Sequence, residues 1–267
     1  MKILVIGDPH GAIENVRKAP VKGVDLILLT GDIGKADLAR KRYFENIERK
    51  QKGLDELEYD GKFAKQVHQQ IHNSTIEILK YLSRYAPVYS LQGNVGIPTL
   101  SDVKKDYKKY GIKLASTREK VDSMKNVNLV KNRVRIIDGL RIGFLEYFVD
   151  TNWVQDFKPS DYKKRLKKAK MATDKARDVL KRFGNLDILV CHQPPYGYLD
   201  KVSGKFGAPK SWQGKHAGSK VILEYIKKYQ PKYVFCGHIH EGRGRVKIGK
   251  TQVYNMGFNG EHIVVNI

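Results

Sequence analysis

Seven side chains able to bind a transition metal are spread along the 267 residues: Asp8, His10, Asp32, Asn94, His192, His238 and His240. Carboxylate, imidazole and amide-oxygen donors in one set suit borderline divalent cations such as manganese, iron, nickel or zinc. A soft site would need thiolates, and a magnesium site would need mostly oxygens. In Asp8-Pro9-His10 and His238-Ile239-His240 the i and i+2 side chains converge on one side of an extended segment, so each pair is a natural chelate. Two such cations about 3.5 to 4 Å apart make a bridging hydroxide available near neutral pH and stabilise charge on phosphoryl oxygens. The carboxylate between them should bridge. Asp32 is the expected bridge, because Gly31 leaves room for close approach and an apolar run places the pair at a strand end.

The elements that must position these residues are legible as apolar runs. Lys2 to Gly7, Val24 to Thr30, Pro87 to Leu91, Asp187 to Val190 and Tyr233 to Phe235 each lead into one of the donor positions. Buried strands of α/β folds read as continuous apolar runs, and sites gather at their carboxyl ends. Between the runs, Phe63, Val67, Ile71, Ile78 and Leu82 keep one helical face apolar, as do Tyr162, Leu166, Ala169, Ala176, Leu180 and Phe183. Residues 127 to 147, with Asp138-Gly139 between the last two of their apolar runs, read as a hairpin. Residues 244 to 267 carry three more short β-like runs, so antiparallel strands should flank the parallel ones. No repeat and no Pro-, Gly- or Ser-rich linker divides the chain, which predicts a single domain over residues 1 to 267.

Composition narrows the classes. Hydrophobic residues at 41% and charged residues at 29% fit a folded chain better than a disordered one. No stretch approaches the roughly 18 apolar residues of a membrane span, and the first apolar run is too short for a signal peptide, so no membrane association and a cytoplasmic location are expected. Cys191 and Cys236 sit in strand-like runs, displaced from the donor positions, and read as buried reduced thiols. The net charge of +22 would concentrate a polyanion near the surface and favours nucleic acid or nucleotide partners; it also fits a Lys-rich surface that only keeps the protein soluble. Nothing here fixes the oligomeric state.

The motifs Asp8-x-His10, Gly31-Asp32, Gly93-Asn94, His192 and Gly237-His238-x-His240 stand in the order and approximate spacing of those of the calcineurin-like metallophosphoesterase superfamily, which the chain therefore resembles over residues 8 to 240. The stretch from His192-Gln193-Pro194-Pro195-Tyr196-Gly197 through His216-Ala217-Gly218-Ser219 to Asn255-Met256-Gly257 looks like a prokaryotic or archaeal branch of it. The resemblance implies an α/β fold, a four-layer α/β/β/α sandwich of two mixed sheets flanked by helices. It implies two divalent metal ions, manganese favoured, with Asp8, His10, Asp32 and His240 on one and Asp32, Asn94, His192 and His238 on the other. The activity implied is hydrolysis of a phosphodiester or phosphomonoester, the diester favoured, by a metal-bridging hydroxide. The alternative is a catalytically weak metal-binding scaffold within a protein or nucleic-acid complex.

One departure matters. Many members have a histidine directly after the Gly-Asn pair, taken as general acid or phosphate contact; here Val95-Gly96 follows. Protonating a poor leaving group is worth about 10²- to 10⁴-fold, so the loss biases the chain toward good leaving groups unless another residue substitutes. His216, in the irregular segment between two donor-bearing regions, is the expected substitute. His68 and His72 have the i,i+4 spacing of a helical zinc pair, but Gln69 stands where a zinc protease needs glutamate, and they are read as structural. Lys158 to Arg182 holds eleven Lys or Arg against three Asp, a face able to track phosphates or simply to meet solvent. Tyr196, Tyr198, Phe206 and Trp212, interleaved with Lys201, Lys205, Lys210 and Lys215, read either as base-stacking groups or as anchors of a long loop.

Overall fold

The computed structural model describes residues 1 to 159 and 161 to 267. The expected parallel runs form strands β1 (Lys2–Ile6), β2 (Leu26–Leu29) and β3 (Val88–Ser90), then β7 (Ile188–Cys191) and β8 (Tyr233–Cys236). Between and beyond them lie β4 (Val127–Leu129), β5 (Arg133–Ile137), β6 (Leu140–Leu145), β9 (Gly244–Ile248), β10 (Thr251–Asn255) and β11 (His262–Asn266). The helices are α1 (Ile13–Val16), α2 (Asp37–Gln51), α3 (Gly61–Leu82), α4 (Leu100–Tyr110), α5 (Thr117–Asp122), α6 (Thr151–Phe157), α7 (Tyr162–Phe183) and α8 (Lys220–Tyr229). The two helices read from apolar periodicity are α3 and α7.

Two mixed sheets result. One has the order β11-β1-β2-β3-β4 and the other β5-β6-β7-β8-β10-β9. As expected, antiparallel strands lie at the edges: β11 against β1, β5 against β6, and β9 against β10. The hairpin expected over residues 127 to 147 is only partly as read. Asp138-Gly139 does turn β5 into β6, but β4 leaves the hairpin and pairs in parallel with β3 in the other sheet. A three-residue run carries too little pattern to state which edge it joins.

Strand alternation builds the layers. Ile3 and Val5 of β1, Leu26 and Leu28 of β2, Ile188 and Val190 of β7 and Phe235 of β8 fill one core between the sheets. The alternate residues Leu4, Ile6, Ile27 and Leu29 face α1, α3 and α5, while Leu189, Val234 and Cys236 face α7 and α8. The result is the α/β/β/α sandwich. Period-2 side-chain alternation on strands buried on both faces makes this arrangement obligatory, since each face must be covered. Fully burying one of these aliphatic side chains contributes about 1.5 to 3 kcal/mol. Among the described residues no helix is long and apolar enough to cross a membrane.

His68 and His72 serve packing. His68 Nε2 meets the Ala115 carbonyl at 2.8 Å and His72 Nδ1 meets Thr117 Oγ1 at 2.9 Å, which ties α3 to the start of α5.

Candidate metal centre

All seven donor residues lie just beyond the carboxyl ends of parallel strands. Asp8 and His10 follow β1, Asp32 follows β2, Asn94 follows β3, His192 directly follows β7, and His238 and His240 follow β8. Register aligns these ends, with Ile6 opposite Leu29, Leu29 opposite Ser90, and Val190 opposite Phe235. Three of the seven, His10, Asp32 and His238, have left-handed backbones, with φ of 45°, 45° and 65°. Such conformations cost on the order of 1 to 3 kcal/mol each and persist where the surroundings over-determine them, often at functional sites. Gly31 supplies the approach anticipated for it. Its φ is +121°, and a Cβ there would stand 2.8 Å from His192 Nδ1.

The donor atoms converge. Asp32 Oδ2 lies 3.7 Å from His10 Nε2 on one side and 3.4 Å from His192 Nε2 on the other. His10 Nε2 and His240 Nε2 are 3.2 Å apart, and His192 Nε2 is 2.7 Å from Asn94 Oδ1. Two groups, Asp8 with His10 and His240, and Asp8 with Asp32 and His192, present donor atoms all within 4.8 Å of one another. The His238 ring stacks obliquely on His192 at 4.9 Å.

The surroundings fix the donors. The Asp8 carboxylate accepts from Thr30 Oγ1 at 2.6 Å and from the His238 amide at 2.6 Å, and Asp32 Oδ1 accepts from the Val95 amide at 2.7 Å. His192 Nδ1 sits 3.0 Å from the Thr30 carbonyl. In the neutral ring with Nδ1 donating there, Nε2 and Asn94 Oδ1, 2.7 Å apart, are both acceptors and can converge on one cation. The residues present therefore fit a divalent metal pair.

In the metal-free site the donors differ in charge. Burial pushes Asp8 above the usual carboxylate range. Burial also opposes ionisation of Asp32, but His192 and His10 overcome it and hold that carboxyl below its ordinary value. Burial works against charge on His192, yet Asp32 and Asp8 carry it up to about 10, so a cation binding there would displace the Nε2 proton. Burial, then the neighbouring cations, bring His238 down to about 3 and His240 to about 2. Those two imidazoles are therefore neutral, the form that binds metal.

Four contributors were not expected from sequence. Thr30 grips Asp8. Glu146 accepts the amides of Gly93 at 2.9 Å and Gln92 at 3.3 Å, setting the loop that carries Asn94. Tyr147 packs its ring 5.7 Å from His192 and 5.1 Å from His238. Arg40 on α2 donates to the Phe206 carbonyl at 2.7 Å, and its charge is among those that depress His240. Glu146 and Tyr147 directly follow β6, so the strand-end reasoning that found the donors would have found them had the hairpin run been followed to its end.

His216 lies in the irregular segment, as read. Its Nδ1 is 2.6 Å from Oδ1 of the buried Asp200, its ring is 5.5 Å from Tyr196, and its backbone bridges to Lys201. Of the four aromatics, Trp212 packs against Trp153 and Phe157 as an anchor, Tyr198 joins the α7/α8 core and Tyr196 sits under Lys220. Phe206 alone reaches the centre, its ring 5.3 Å from His240 and 4.6 Å from Phe258.

The two-sheet sandwich thus gathers this donor cluster at its strand ends. The chain belongs to the calcineurin-like phosphoesterase family, whose model matches residues 1 to 242 and whose members use a dinuclear divalent metal centre. It is similar to human metallophosphoesterase domain-containing protein 1, 38% identical over 71 residues, which are 26% of this chain and 19% of that one. A UPF0046 protein of Caenorhabditis elegans is 35% identical over 69 residues, 26% of this chain and 20% of that protein. The chain thus spans about a fifth of the length of the curated relatives it matches. The crystal structure of phosphopantetheinyl hydrolase from Mycobacterium tuberculosis has the same fold, with a TM-score of 0.53 at 13% identity over 97% of this chain and 90% of that one.

Proposed function

We propose that residues 1 to 267 act as one metallophosphoesterase domain that hydrolyses phosphodiesters in preference to monoesters, with nucleotides or nucleic acid as the substrate class. Asp8, His10, Asp32 and His240 hold one cation, and Asp32, Asn94, His192 and His238 hold the other, with manganese favoured for both positions. The observation that carries this reading is Asp32 Oδ2, standing between His10 at 3.7 Å and His192 at 3.4 Å.

When bound, the two cations supply a nucleophile from water near neutral pH and neutralise charge on the phosphoryl oxygens. The chain's own residues do the rest. Thr30 and the His238 amide orient Asp8; Glu146 orients the Asn94 loop; Tyr147 walls off His192 and His238 from solvent. Asp200 holds the His216 ring through Nδ1 at 2.6 Å, and His216, when it carries a proton on both nitrogens, would be the acid for the departing oxygen through Nε2. Room for a second ester arm supports the diester preference, since a cavity of about 770 Å³ adjoins His240. The exposed Lys and Arg of α7 support a polyanionic substrate. Two free buried cysteines support a reducing, cytoplasmic setting.

Val95 favours the second reading, a weakly catalytic scaffold, because it offers only its amide to Asp32 and no acid in the histidine's place.

The test is hydrolysis of bis-p-nitrophenyl phosphate and p-nitrophenyl phosphate by chelator-stripped protein with Mn²⁺ or Ni²⁺ restored, alongside Asp32→Ala. Turnover that needs metal and vanishes with Asp32→Ala is expected, the diester being preferred. Two metals bound without turnover of either ester would move the reading to the scaffold. His216→Ala should slow an ester with an alkyl leaving group by about 10²-fold or more and a nitrophenyl ester much less. Equal effects on both would remove His216 from the mechanism.

A further inference from the structure

The cavity beside His240 has a lining that hydrolysis of a small ester does not use. Its walls come from residues 201 to 206, Gln213 and Gly214 on one side and from Glu241, Arg243, Phe258 and Glu261 on the other. His240 is a wall of the cavity and a donor of the candidate centre at once. A phosphate held at the centre therefore has this space at its flank. At about 770 Å³ the cavity lies within the roughly 300 to 1,000 Å³ range of small-molecule sites and greatly exceeds what a phosphate needs.

Aromatic and charged groups divide the lining. Phe206 and Phe258 meet edge to face at 4.6 Å, and Phe258 stacks on the His240 ring at 4.8 Å with 16° between planes. Both phenylalanines are only partly buried, so aromatic surface remains open to a ligand. The charges are not equivalent. Arg243 is paired with Glu261 at 2.7 Å, and Glu241 accepts from the Ser203 amide at 2.9 Å. Lys201 and Lys205 are exposed, and neither is ion-paired among the described residues; the Lys205 ammonium lies 5.5 Å from the Phe206 ring centre. The lining therefore carries three cationic side chains against two carboxylates, an excess of one positive charge, and the Lys205 ammonium sits next to an aromatic face.

The wall is also braced. Val202 and Lys215 join at 2.9 Å, Gly214 and Val202 at 2.8 Å, and Arg40 holds the Phe206 carbonyl at 2.7 Å. A braced aromatic face with free ammonium groups is a recognition surface for an aromatic group that carries its own anion.

We propose that this cavity is a nucleotidyl subsite: the Phe206 ring stacks the base with Phe258 against its edge, while Lys201 and Lys205 hold a second phosphate of a substrate whose scissile phosphate lies at the centre. The assignment rests on the proposed phosphoesterase reading and adds the residues that would hold the base and a second phosphate. An uncharged aliphatic alcohol would leave both lysines without a partner, and a lone phosphate would leave the phenylalanines unused.

The test is calorimetric binding to the manganese-loaded protein, which needs no turnover. Deoxythymidine 3′,5′-bisphosphate and inorganic phosphate are the two probes. The bisphosphate should bind at least about tenfold more tightly than phosphate. That preference should fall by about tenfold in Lys201→Gln/Lys205→Gln and also fall in Phe206→Ala, with manganese content measured in each variant. Equal affinity of the wild-type protein for the two probes, or a preference unmoved in both variants, would overturn the subsite. Failure of bis-p-nitrophenyl phosphate hydrolysis with bisphosphate preference intact would instead count against the enzymatic reading alone.

Discussion

Thr30 Oγ1 donates to Asp8 Oδ1 at 2.6 Å while accepting the Asp8 amide at 3.2 Å, so one hydroxyl grips both the backbone and the carboxylate of the first candidate donor. Thr30→Val keeps the branched shape and removes that grip. Outer-shell partners of this kind are worth about 10- to 100-fold in metal affinity. Titration of the stripped variant with Mn²⁺ should show a loss of that order. Unchanged affinity would mean that the His238 amide alone is enough to orient Asp8.

Gly237 packs against the Asp8 carboxylate so closely that an added Cβ would overlap it. The carboxylate cannot retreat without breaking its bonds to Thr30 and His238. Gly237→Ala should therefore cost about 1 to 3 kcal/mol of stability, as overpacking does, and lower metal content as well. Urea unfolding and elemental analysis of the purified variant check both. Retention of full metal content would show that the Asp8 position is not needed for capture.

Burial raises the thiol pKa of Cys191, and burial followed by Cys191 and Asp8 raises that of Cys236. Both groups remain thiols where an exposed cysteine near pKa 8.5 would be largely ionised. Iodoacetamide at pH 9 should leave both unlabelled in the native protein and label both in 6 M guanidinium, as read by intact mass. Native labelling of either would place it nearer solvent than its strand position allows.

The donors were legible because each is a polar residue ending an apolar run, and a strand end is where an α/β sheet exposes function. The two-layer helix covering followed from strands apolar on both faces. What stayed hidden had no such pattern. Helix α2 buries no side chain, so no apolar stripe announces it or brings Arg40 forward. Strand β4 is three residues long and carries no signal of which sheet takes it. The long loop showed its aromatics but not their division, because whether a ring meets Trp153 or His240 depends on the tertiary path.

On the proposed assignment, one cation takes Asp8, His10 and Asp32 from loops of the first sheet and His240 from the second, and the other takes Asp32 and Asn94 from the first and His192 and His238 from the second. Neither sheet alone supplies a complete donor set, so full loading waits until the two halves have closed on each other. The donors run from residue 8 to residue 240, so a chain emerging from the ribosome holds an unfinished set until residue 240 has been made. Two-metal loading thereby becomes a checkpoint on synthesis: a product cut before His238, or one with its sheets misdocked, would lack a complete set for either cation.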